Sequence, residues 1–299
     1  MSEKYTFSVI GGDHRQLVII KKLLLLGHGV KVFSISAPIG CIPGAEFTSS
    51  AEKALEGSDI LLLPLPMSRD GISINLTSTP EELGIASLFG MLSKKEKPLI
   101  FGGLIPREAR ALTENAALEL IDYYKCEELQ IKNALPSAEG AIMVAMENTD
   151  RVIEGMEVLV CGYGRIGKIL AHKLKLLGAN VSVAARRDEV LCEIAMSGFD
   201  PIDIKRPDEL TQASINSDVI FNTIPVQIFS KQIINKIDTD PLYIEIASAP
   251  GGIDVQSARA HGMRLIFAPS LPGKYAPSSA GEYIFETIKD ILDKRGMNI

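Results

Sequence analysis

Residues 157–187, "EVLVCGYGRIGKILAHKLKLLGANVSVAARR", decide how the chain is read. An apolar run ends at Cys161, and Gly162-Tyr163-Gly164-Arg165-Ile166-Gly167 follows at once. A segment of helical period comes next, and "GANV" leads into a second apolar run. Each glycine has a physical purpose in that setting. The first allows a tight turn, the second lets the backbone approach a pyrophosphate, and the third lets helix pack closely on strand. The helix N-terminus adds unpaired N–H groups for the anion. Gly-x-Gly-x-x-Gly alone occurs by chance, but the strand before, the helix after and the second strand at the right distance predict a dinucleotide site. Cofactor contacts are expected from Gly162, Tyr163, Gly164, Arg165, Ile166 and Gly167.

Many such folds end that second strand in an acid that accepts hydrogen bonds from the adenosine ribose. Here Ala185, Arg186 and Arg187 stand in its place. Losing the acid removes repulsion toward a 2′-phosphate, and two guanidinium groups supply forked donors suited to it. NADP is therefore expected in preference to NAD. The competing reading is a solvated turn in which the arginines pair with Asp188 and Glu189.

Outward from this segment, strand-length apolar runs alternate with longer stretches of helical period, the pattern of parallel sheets covered by helices on both faces. The first half offers "TFSVI", "VKVFS", "DILLLP", "PLIFG" and "LELIDY". The second offers "EVLVCG", "NVSVAA", "FDPIDI", "DVIFNT", "LYIEIA" and "RLIFAP". The expected fold class is α/β, with two doubly wound parallel-sheet domains. Residues 1–135 read as a flavodoxin-like substrate domain, 136–149 as an interdomain helix starting at Pro136-Ser137, and 150–277 as the Rossmann domain. Residues 278–299 read as an amphipathic helix packing back on the first domain, and the cleft between domains as the natural substrate site.

Composition narrows the function classes. The 299 residues are 46% hydrophobic and 23% charged, with a formal net charge of −6, so nothing attracts the chain as a whole to nucleic acid or an anionic membrane. Lys21 and Lys22 interrupt the most apolar early run, and neither a signal peptide nor a membrane span is expected. Cys41, Cys126, Cys161 and Cys192 are too scattered for a metal or redox motif and read as reduced and mostly buried; no metal site is expected. A cytoplasmic enzyme fits.

In an open α/β sheet the ligand lies at the carboxyl ends of the strands. Thr223, Ile224 and Pro225 follow the fourth strand of the second half, Ala247 and Ser248 the fifth, and Leu271 and Pro272 the sixth; all are expected to line the cofactor crevice, the alternative being ordinary turns. The first half has only Gly11-Gly12, so no second dinucleotide is placed there. Asp13 and Arg15 read as substrate or domain-contact residues, or else as a helix cap and a surface charge. Among the histidines only His14 is expected in a loop facing the cleft; His28, His172 and His261 read as structural.

"GGDHRQ" (11–16), "LPSAEGAIMVAMENTD" (135–150), "VCGYGRIGK", "FNTIP", "IASAPGGID" and "FAPSLPGKYAPSSAGEYI" (267–284) occur in the order found in the dipicolinate synthase A-subunit family, which the chain resembles over nearly its whole length. The layout is also similar to formate/glycerate dehydrogenase and adenosylhomocysteinase architectures. The resemblance implies NADP-dependent oxidation of 4-hydroxytetrahydrodipicolinate, or its dehydrated form, to pyridine-2,6-dicarboxylate during spore formation. It further implies a mother-cell location and a partner, the B-subunit of dipicolinate synthase, of the flavin-decarboxylase type; a homo-oligomer is also expected. A dicarboxylate substrate calls for cationic or hydroxyl donors, for which Arg15, Arg69, Arg107, Lys274, Ser278 and Ser279 are candidates. Asp13, Glu139 or water would take the proton. Two other readings stay open: an NADP-binding component that is not catalytic by itself, and an NADPH-dependent reductase of another small carboxylic acid.

Overall fold

Strands that are apolar on both faces demand helices above and below them, and the chain meets that demand twice. The computed structural model describes residues 3–35, 42–78, 82–95 and 97–299. They divide into one unit of Met1–Asn133 with Ala276–Ile299 and another of Ala134–Tyr275.

The first unit runs β1 (Thr6–Ile10), α1 (His14–Leu25), β2 (Gly29–Phe33), β3 (Glu46–Phe47), α2 (Ala51–Leu55), β4 (Ile60–Leu62), α3 (Ile85–Lys95), β5 (Leu99–Gly102), α4 (Arg107–Ala116) and β6 (Leu120–Asp122). Helix α5 (Glu127–Asn148) continues the chain into the second unit. There follow β7 (Glu157–Cys161), α6 (Arg165–Leu176), β8 (Asn180–Ala185), α7 (Asp188–Met196), β9 (Asp200–Asp203) and α8 (Pro207–Ile215). The unit closes with β10 (Val219–Asn222), α9 (Lys231–Ile234), β11 (Leu242–Glu245), α10 (Val255–His261), β12 (Leu265–Phe267) and α11 (Leu271–Tyr275). Helix α12 (Pro277–Asp293) returns to the first unit.

Both sheets are parallel and six-stranded, ordered β3-β2-β1-β4-β5-β6 and β12-β11-β10-β7-β8-β9. Each order reverses beside its first strand, between β1 and β4 and between β7 and β10, which is the doubly wound arrangement. The two-residue edge strand β3 separates the first sheet from the five-stranded flavodoxin-like order expected; two residues carry too little periodicity to be read in advance.

Helix α12 belongs to the first unit because its apolar side completes that core. Ile284, Ile288 and Leu292 are buried with Phe7, Val9, Ile19, Ile20 and Leu23, and each such side chain contributes about 1.5–3 kcal/mol. The helix lies along α1: Gly281 meets Arg15 and Val18, Glu282 pairs with Lys22 at 3.2 Å, and Lys22 stands over the Phe285 ring. The two helices therefore run in the same direction with their N-terminal turns side by side.

Three local expectations need correction. Helix α5 begins at Glu127, and Pro136 lies inside it. The acidic residues Glu127 and Glu128 suit a helix N-terminus, and burial of Leu129, Ala134, Ala138 and Ala141 outweighs the backbone bond that proline forfeits. Leu271 and Pro272 are not loop residues but the buried start of α11, packed where Gly140 of α5 leaves room. Of the cysteines, Cys161 is buried, Cys126 half-buried and Cys192 exposed, while Cys41 lies outside the described residues. Cys192 sits on the outward side of α7, where no core reaches it.

Candidate functional site

The glycine loop joins β7 to α6. Gly162 has φ +101°, a backbone conformation that a β-carbon disfavours. A β-carbon there would also meet Thr223 Oγ1 at 2.3 Å, and one on Gly167 would stand 2.0 Å from the Gly162 carbonyl oxygen. Gly164, the N-cap of α6, faces open space and no side chain caps the helix. These are the features of a cradle in which a pyrophosphate can reach the backbone and the positive end of a helix. Thr223, after β10, anchors the rim by donating from both its N–H (2.9 Å) and its hydroxyl (2.8 Å) to the Cys161 carbonyl.

Beside the loop is a cavity of about 680 Å3. Of the residues expected at the cofactor, Gly162, Tyr163, Gly164, Arg186, Arg187, Thr223, Ile224 and Pro225 line it. Tyr163 turns its ring into the core against Phe199, so backbone is what it offers. Arg165, Ile166 and Gly167 form the first turn of α6 and stand outside the lining, as do Ala247, Ser248, Leu271 and Pro272. Lys205, in the turn after β9, also lines the cavity and escaped the sequence reading, since nothing in "IDIKRPDE" marks one lysine among surface charges.

No acid ends β8: Ala185 is followed by the two arginines. Arg187 pairs with Glu189 at 3.0 Å and Lys205 with Asp188, both exposed, whereas Arg186 has no ion-pair partner among the described residues. Asp188 also raises the Lys205 ammonium above its ordinary value, keeping it cationic. Arg187 thus makes one of the pairings that a solvated turn would give, while Arg186, equally exposed, makes no such pair among the described residues.

In the first unit, Asp13 is the N-cap of α1 and accepts from the Arg15 N–H at 3.1 Å. Arg15 is almost buried; its Nε and Nη2 donate to the two Asp13 oxygens at 2.8 and 2.7 Å, and Nη2 also donates to the Leu65 carbonyl. Burial pushes the Asp13 carboxyl up, but the hydrogen bonds and charge of Arg15 outweigh it and hold the group below the ordinary carboxylate range. Ser278 and Ser279 are exposed in the first turn of α12, whose N-cap is Ala276 with no side-chain cap. That turn lies against Arg15, since a β-carbon on Gly281 would come 2.6 Å from the Arg15 carbonyl oxygen. Arg69 and Arg107 are exposed.

Lys274 is exposed in the second unit with its ammonium 4.7 Å from the Tyr275 ring centre. Tyr275, and beyond it Glu147, raise its pKa above the lysine value. Glu139 pairs with Lys173 at 2.8 Å. His14 is not in a loop but is the first residue of α1, directly after the N-cap Asp13. His172 and His261 each bond a backbone carbonyl at 2.7 Å, and His28 is buried.

A parallel doubly wound domain with a glycine cradle, an uncapped helix end and an adjoining cavity defines a dinucleotide-binding protein of the Rossmann class. Residues 136–268 match the model of the S-adenosyl-L-homocysteine hydrolase NAD-binding domain, and residues 6–124 match the N-terminal domain of the dipicolinate synthase A-subunit. The dipicolinate synthase A-subunit of Bacillus subtilis is 30% identical over 285 residues, 95% of either chain. Crystal structures of its counterparts from Bacillus halodurans and Bacillus subtilis superpose with TM-scores of 0.84 and 0.83 at 28% and 29% identity; they cover 97% and 98% of this chain and 98% and 97% of their own. The chain belongs to the dipicolinate synthase A-subunit family. Among the described residues no helix is long and apolar enough to cross a membrane.

Proposed function

We propose that this chain is an NADP-dependent dehydrogenase that forms pyridine-2,6-dicarboxylate from a dihydrodipicolinate. The observation that carries the cofactor choice is the end of β8, where Ala185 replaces an acid and Arg186, Arg187 and Lys205 border one cavity. Loss of water from 4-hydroxytetrahydrodipicolinate gives a dihydropyridine, and loss of one hydride and one proton from that ring gives the aromatic product. Bound NADP supplies the hydride acceptor.

The chain's own residues then have separable tasks. Gly162 to Gly164 and the N-terminus of α6 take the pyrophosphate, and Arg186, Arg187 and Lys205 take the 2′-phosphate. The paired N-terminal turns of α1 and α12, with Ser278 and Ser279, suit a carboxylate. Asp13 already balances the α1 end, and because Arg15 holds it ionised it serves better as the cap that orients Arg15 than as a base. Lys274, kept protonated by its neighbours, suits the charge of a dianion. Glu139 is engaged with Lys173, which leaves water as the proton acceptor, aided by the acidity of a ring about to become aromatic.

Because the relatives are A-subunits of a synthase, a partner B-subunit is part of this proposal. The decisive experiment is turnover by the purified chain with freshly generated 4-hydroxytetrahydrodipicolinate and either NADP or NAD, with and without the B-subunit. Formation of NADPH and dipicolinate in equal amounts by the chain alone is the expected result. Cofactor binding with no turnover until the B-subunit is added would instead make this chain the cofactor-carrying half of a complex.

A further inference from the structure

Glu245, the last residue of β11, is 3% exposed, and no task above uses it. A buried carboxylate is tolerated only where donors replace water. Oε1 accepts from Asn222 Nδ2 at 2.7 Å and from the Ala247 N–H at 3.1 Å. Oε2 accepts from the Gly252 N–H at 2.8 Å and from the Tyr243 hydroxyl at 3.3 Å. Two of the four donors are thus backbone groups of the loop that follows β11.

The third donor extends the contact to the neighbouring strand. Asn222 ends β10, stands opposite Glu245 in one register and opposite Cys161 in the other, and bonds Ile224 at both its N–H (3.2 Å) and its carbonyl (2.9 Å). One carboxylate therefore ties the 223–225 loop, which lines the cavity, to the 247–252 loop beside it. The two glycines of "SAPGGID" fit this contact. A β-carbon on Gly252 would stand 2.3 Å from Asn222 Nδ2, and one on Gly251 would stand 3.0 Å from Glu245 Oε2.

We propose that Glu245 is a positioning residue that fixes the 247–252 loop, and that this loop holds the nicotinamide half of the bound dinucleotide. The inference rests on the dinucleotide reading above. The adenosine half lies toward β8, where the arginines are; the switch point between β7 and β10 then leaves the β10 and β11 ends to the nicotinamide half. Glutamine at 245 keeps the size but turns an amide NH2 toward backbone N–H donors, so the loop loses an acceptor.

The test is titration of wild type and Glu245→Gln with each reduced dinucleotide and its adenosine half: NADPH with adenosine 2′,5′-bisphosphate, and NADH with ADP. For the preferred pair, Glu245→Gln weakens the whole dinucleotide by at least about tenfold, the cost of an unsatisfied buried donor. Its affinity for the adenosine half stays within about twofold. Glu245→Asp, which keeps both acceptor oxygens, recovers part of the loss, and Tyr243→Phe, which spares both loop contacts, changes neither affinity. Should Glu245→Gln fail to fold, Gly252→Ala displaces the same loop from the other side and carries the same expectation. Equal losses for dinucleotide and half, or no loss, would overturn the inference while leaving the dinucleotide reading intact. A wild-type chain that binds neither pair would overturn both.

Discussion

Arg187 and Glu189 form an ion pair of 3.0 Å at the end of β8, one residue beyond an Arg186 with no such partner among the described residues. The two arginines are neighbours in sequence and unequal in availability. A guanidinium already engaged with a carboxylate must give up that partner before it can bind a phosphate. Arg186→Ala is therefore expected to weaken NADPH binding by about 10–100-fold, the range for a charge-assisted hydrogen bond. Arg187→Ala and Lys205→Ala should each cost less, and NADH affinity should change little in all three. Paired titrations with NADPH and NADH measure the contrast; equal losses for the two would remove the 2′-phosphate assignment.

Gly167→Ala tests the cradle. The added β-carbon would lie 2.0 Å from the Gly162 carbonyl oxygen, so helix α6 must move away from β7. Overpacking of this kind costs about 1–3 kcal/mol, visible as a lower thermal midpoint, and dinucleotide binding should fall with it. Gly164→Ala meets open space and should keep its stability while losing affinity.

Lys274 is exposed, so its removal tests charge without disturbing a core. Lys274→Ala should raise KM for the dicarboxylate substrate by about tenfold or more and leave the melting temperature unchanged. Arg15→Ala behaves differently because Arg15 is buried against Asp13: stability should drop by about 3 kcal/mol, measured in urea, whatever happens to turnover. If both variants turn over normally, neither residue serves the substrate.

His28 gives the first unit a pH dependence. Its ring packs on Phe7, its Nδ1 accepts from the Tyr5 N–H at 3.3 Å, and its Nε2 is buried with no hydrogen-bond partner among the described residues. Burial first, then the charges of Lys4 and Lys289, lower its pKa. The unfolded chain therefore takes up the proton at higher pH than the folded one, and stability falls as pH drops below the unfolded value of about 6.5. Urea midpoints measured at pH 7.5 and 5.5 should differ in that direction, with His28→Phe reducing the difference.

The parts of the molecule that were legible in the sequence are those set by local pattern. The glycine loop, the missing acid after β8 and the apolar strands each lie within a few consecutive residues, and each dictates its geometry through sterics or burial. Contacts between distant positions were not legible. Asn222 and Glu245 are 23 residues apart and meet only through strand pairing, and Lys205 reaches the cavity only because β9 lies beside β8. Pro136 misled because a local rule for helix starts yielded to the burial of residues on both sides of it. Leu271 and Pro272 misled in the opposite sense, a turn-like sequence forming a buried helix.

The core of the first unit is filled by residues from two separated stretches of chain, with Ile284, Ile288 and Leu292 supplied by α12. The second unit is one uninterrupted stretch, Ala134–Tyr275. On the ribosome this inverts the order of completion: the stretch made later can close its core first. The domain begun at β1 keeps an open apolar face until residues 276–299 emerge.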